Sequence, residues 1–120
     1  MGLDMYAMTT AEPIESEIDF VVEDAEEIHY WRKHPNLHGW MQQLYYDKGG
    51  KEDFNCVPVV LTLEDLERLE VTVKAGDLPA TEGFFFGKSD GTEIEGDLDF
   101  VTKAREAITA GFIVFYDSWW

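Results

Sequence analysis

The amino-acid sequence predicts an α+β fold: one domain over residues 1–120, with a short mixed or antiparallel sheet packed against three to four helices. Three observations predict it. Apolar residues recur at helical spacing in separate stretches of the chain. They alternate with polar residues near its start, and β-branched and aromatic residues crowd its end. A hydrophobic content of 45% and an aromatic content of 14% provide for a core and exclude a disordered acidic tail.

Each element has its own signal. In residues 2–8, Leu3, Met5 and Ala7 alternate with Asp4 and Tyr6, the mark of a strand with one buried face. Residues 9–17 form a polar connection, and Ile18 to Val22 read either as a second strand or as extended chain. Asp24 suits an N-cap, with Glu26 and Glu27 in a first turn where the helix dipole favours acids. A helix is expected from there through Ile28 and Trp31 to about Lys33, where Pro35 restricts the residue before it. A second helix restarts at Pro35 or Asn36, with Leu37, Trp40, Met41 and Leu44 as its apolar stripe, and stops at Gly49-Gly50. Val57 to Leu61 read as a strand at an edge, given Pro58. Thr62 and Asp65 approximate a capping box for a helix lined by Leu63, Leu66, Leu69 and Val73 and closed by Gly76. Gly83 to Gly87 form a short extended segment. Leu98, Val101, Ala104 and Ile108 mark a further helix, and Phe112 to Tyr116 a closing strand.

The formal net charge is −16. Such acidity argues against nucleic acid or an anionic membrane as partner, because phosphate binding runs on Lys and Arg. It leaves solubility, adaptation to salt, or occupation of a basic protein surface. No apolar run reaches the ~20 residues of a membrane span. Met1 to Met5 carry no secretory pattern, and Cys56 is the only cysteine, so a reducing cytoplasm is expected. The charge is uneven. Residues 1–28 carry nine acidic and no basic side chains, whereas residues 29–51 carry Arg32, Lys33, Lys48 and Lys51 against Asp47 alone.

Three motifs imitate known chemistry. Gly83-Phe84-Phe85-Phe86-Gly87-Lys88-Ser89 resembles a phosphate loop, but it has three bulky residues between the glycines where four are needed. It reads as a buried aromatic segment. His34 and His38 stand four apart with Pro35 between them and no second cysteine or His-Glu-x-x-His motif, so no metal and no cofactor are expected. Cys56 lacks an evident base and reads as a packed thiol.

The stretch from His29 to Trp40 holds all three histidines and two of the four tryptophans. On the expected helix His29, Arg32 and Lys33 would share a face. With Tyr30, Trp40, Trp119 and Trp120 they could wall a pocket for an anion or a flat ring. The alternative is that Arg32 and Lys33 merely neutralise nearby carboxylates. Asp4 would either pair with Arg32 or Lys33 or touch a ligand. The candidate ligand-binding set is therefore Asp4, Tyr30, Arg32, Lys33, His38, Trp40 and Trp120, with no catalytic residue assigned.

Taken together, Gly2-Leu3-Asp4-Met5-Tyr6, Ile28-His29-Tyr30-Trp31-Arg32-Lys33 with His38 and Trp40, Asn55-Cys56, Thr62-Leu63-Glu64-Asp65-Leu66, Gly83 to Gly87 and the Tyr116-Asp117-Ser118-Trp119-Trp120 ending resemble a family of small uncharacterised phage proteins, marine T4-like phages among their sources. The resemblance implies a virus-encoded accessory protein made in the cytoplasm of an infected bacterial host. Three functions follow in order: a non-enzymatic protein that binds a host macromolecule, such as a basic protein, through its acidic surface; a binder of a small anionic or aromatic ligand; and, last, a small enzyme using Asp4 or His38 as acid or base.

Overall fold

The computed structural model describes residues 3–31, 34–79 and 94–119. Their elements are β1 (Asp4–Thr10), β2 (Glu26–Trp31), α1 (Pro35–Asp47), β3 (Val59–Leu61), α2 (Leu63–Ala75), α3 (Ile94–Thr109) and β4 (Ile113–Trp119). The strands form one sheet in the order β2-β1-β4-β3, and every pairing is antiparallel. The fold is α+β, as the sequence predicts.

The sheet has two unlike faces. Leu3, just before β1, and Met5 and Ala7 within it are fully buried, and on β4 so are Val114 and Tyr116. These side chains form one core with Leu37 and Met41 of α1, Leu66 and Leu69 of α2, and Phe100 and Val101 of α3. All three helices thus cover the same side. Each such side chain taken from water contributes about 1.5–3 kcal/mol, which is why alternation in β1 and helical spacing in α1 to α3 point to the same interior. Asp4, Tyr6 and Met8 of β1 share the outer face with Phe115, Asp117 and Trp119 of β4. Asp4 lies opposite Trp119, Tyr6 opposite Asp117 and Met8 opposite Phe115.

Local chemistry fixes the boundaries. Pro35 begins α1, where its missing N–H costs nothing. At α2, Thr62 Oγ1 accepts from the Asp65 amide while the Asp65 carboxylate accepts from the Thr62 amide, and Gly76 ends the helix at φ 70°. Asp65 also takes Lys48 Nζ at 2.7 Å, which ties α2 to the end of α1. Burial works against its charge, but Lys48, the Thr62 amide and Arg68 prevail and hold the carboxyl below its usual range.

Two expectations fail. Residues 26–31 are a strand, not a helix. The pairing with β1 slips between Ala7 and Met8, so Ile28 is an extra residue that packs toward the core together with Trp31. A bulge of this kind reproduces the i, i+3 spacing of a helix inside a strand. His29, expected on a helical face, is therefore on a strand, and its ring packs on Trp31 with centroids 4.5 Å apart. The closing strand does not stop at Tyr116 but runs to Trp119. Ile18 to Val22 are extended chain, joined to the sheet by a single bridge from Ile18 to Val59. The expected segment Gly83 to Gly87 lies outside the described residues.

Candidate functional site

The outer sheet face collects aromatic and acidic side chains. Its open end holds Asp4 and Tyr30, with the Tyr30 hydroxyl donating to Asp4 Oδ1 at 2.5 Å. The Tyr30 ring lies 5.3 Å from that of Tyr6. Tyr30 is 44% exposed and Trp119, across the ladder from Asp4, is 66% exposed. An indole this accessible on a strand is the kind of surface that marks binding.

The other end of the face is roofed. Residues 17–25 cross over β4 and β3, held by Val60 N–H donating to Glu17 O, Asp19 N–H to Pro58 O, and Thr10 Oγ1 to Asp24 O. Phe20 drops its ring edge-on to Phe115, with centroids 5.1 Å apart. Beneath this roof is a hollow of about 550 Å³ whose walls include Tyr6, Phe20, Pro58, Phe115, Glu27 and Asp117. Asp19 and Cys56, the only described non-glycine residues in left-handed conformation at φ 53° and 59°, stand where the two loops meet it. Burial raises the Asp117 carboxyl above its usual range, against the pull of the Ser118 amide that donates to it at 2.8 Å. Cys56 is exposed rather than the packed thiol expected, and partial desolvation and the neighbouring Asp117 raise its thiol pKa.

Of the residues expected from sequence, the structure brings Asp4 and Tyr30 together. His38 lies across the sheet from them, fully buried, with Nδ1 2.7 Å from the Tyr116 hydroxyl. Burial pushes its pKa down to about 4, so it is a neutral core residue rather than an exposed ligand contact. Trp40 is on α1 and lines a different groove, of about 580 Å³, between α1 and α2 with Leu44, Glu64, Glu67 and Val71. Arg32, Lys33 and Trp120 lie outside the described residues.

His34 is buried with its Nε2 2.7 Å from Asp97 Oδ2, and Trp31 Nε1 donates to Asp97 Oδ1 at 3.0 Å. This triad locks the start of α3 to the end of β2 and the start of α1. Among the described residues no three His, Cys, Asp or Glu side chains are grouped to hold a metal ion, and no helix is long and apolar enough to cross a membrane.

Sequence reasoning missed Asp117, Phe115 and Phe20. Two of them follow from strand geometry once the closing strand is carried through to Trp119, which sets Phe115, Asp117 and Trp119 on one face. No family model, curated protein or solved structure matches this chain.

Proposed function

We propose that this chain is a phage-encoded accessory protein that works by binding, and that its outer sheet face docks a basic segment of a host protein. The motif resemblance supports the phage origin. One observation carries the docking: the sheet face not covered by helices combines exposed Tyr30 and Trp119 with Asp4, Glu27 and Asp117. Glu23, Asp24 and Glu26 are exposed on the adjoining loop and strand. Aromatic rings and carboxylates together attract Lys and Arg, by cation–π contact and by charge. A net charge of −16 adds long-range steering toward a basic partner. The competing reading, a small-anion pocket along residues 30–40, is the weaker one, because the sheet separates Tyr30 from His38 and Trp40.

The test is fluorescence anisotropy with a labelled twelve-residue Lys/Arg-rich peptide. Binding that weakens steeply with salt is expected. It should fall at least tenfold when Glu23, Asp24, Glu26 and Glu27 are all changed to Gln, and again in Trp119→Ala, while Arg32→Ala leaves it unchanged. Affinity insensitive to both face variants would overturn the proposal.

A further inference from the structure

The hollow under residues 20–25 is more specific than the open face beside it. Its walls are the rings of Tyr6, Phe20 and Phe115, and its charges are Asp117 and Glu27. Asp117 is the telling group. It sits directly across from Tyr6 in the ladder, it is half-buried, and its Oδ1 already accepts the Ser118 amide. Among the described residues no Lys, Arg or His is paired with it, whereas the better-placed carboxylates of this molecule are: Asp65 has Lys48 and Arg68, Glu70 has Arg105, and Asp97 has His34. A carboxylate desolvated among rings without a cation is an incomplete arrangement, since the cost of its burial is offset only when a counter-charge arrives.

The chemistry narrows the counter-charge. A divalent metal needs six or more oxygen ligands, which apolar walls do not supply. A guanidinium binds best with both carboxylate oxygens in a fork, and here one is engaged by the backbone. A compact ammonium on an alkyl stem asks for one oxygen and several ring faces. We infer that the hollow takes an alkylammonium head, delivered as a lysine side chain of the docked segment. The delivery rests on the docking reading above; the affinity of the hollow for an alkylammonium does not.

Two ligands test this by heteronuclear NMR on the full chain: N-acetyl-lysine methylamide and its norleucine counterpart, which has a similar stem and no charge. The lysine compound should shift the amides of residues 6, 20, 115 and 117 with millimolar affinity, and the norleucine compound should not. Asp117→Asn, which keeps the shape, should weaken the lysine compound at least tenfold, and Phe20→Ala should do the same from the opposite wall. In the twelve-residue peptide, changing one lysine at a time to norleucine should single out one position at which affinity drops about tenfold. Equal binding of the two small compounds, or binding untouched by Asp117→Asn, overturns the inference. Peptide binding equal in wild type and Asp117→Asn, yet lost when the three glutamates and one aspartate of residues 23–27 are neutralised, overturns the hollow and keeps the docking face. Lysine-compound binding through Asp117 with no peptide bound at any salt concentration keeps the hollow and overturns the docking reading.

Discussion

His38 shows how burial alone decides a residue's role. Its pKa falls to about 4 from an ordinary value of 6.5 because the imidazole is wholly desolvated. In the unfolded chain it takes up a proton below pH 6.5, while in the folded chain it stays neutral until about pH 4. The unfolded state therefore binds more protons in that window. Stability is unaffected above it and falls as pH drops through it, by about 3 kcal/mol in all. Urea unfolding at pH 7 and pH 4.5 should show this loss, and His38→Gln should abolish most of the difference between the two pH values. Carboxylates are common to both proteins, so the comparison with the variant isolates the imidazole. Asp97 illustrates the opposite case, a buried carboxylate whose two oxygens are both engaged. Asp97→Ala would leave the buried Trp31 indole N–H without its acceptor and remove the carboxylate from His34 Nε2, and should cost roughly 3 kcal/mol in urea unfolding at pH 7.

At the scale of elements, α2 was the most legible because its signals agree. Thr62 caps it, Asp65 completes the box, Leu66, Leu69 and Val73 line one face and Gly76 stops it. Thr62→Ala should cost about 1 kcal/mol, read as a drop in melting temperature of several degrees. The turn after α1 is equally constrained. A methyl on Gly50 would collide with the ring of Tyr45, which is fully buried and bonded to Asp19, so it cannot step aside. Gly50→Ala should therefore destabilise by about 1–3 kcal/mol, again by thermal unfolding. The strand β2 was not legible. Its acids, its Ile28-to-Trp31 spacing and Pro35 after it all read as a helix, and only the pairing with β1 and its bulge make it a strand. Tertiary pairing overrode a local pattern. The site suffered the same fate. Asp4 and Tyr30, both in the candidate set, meet because β1 pairs with β2, whereas His38 stands on the helix the sequence predicts but on the side of α1 that the core buries. Asp117 was overlooked because β4 was ended three residues early.

For the whole molecule, the division of labour follows from the sheet. One face buries the helices and is an ordinary core. The other has no helix among the described residues, keeps Trp119 and Tyr30 accessible and carries carboxylates along its length. The acidity is spread over a chain of net charge −16, and on this face exposed rings accompany it. The α1–α2 groove lined by Trp40 is the natural control, since it is apolar and acid-rimmed but belongs to the helical side. The most direct measurement is therefore amide chemical-shift mapping of the labelled protein titrated with the lysine-rich peptide at low salt. Docking on the outer face predicts shifts concentrated in residues 4–8, 20–30 and 115–119 that fade as salt rises. Shifts concentrated in the α1–α2 groove, or none at all, would contradict it.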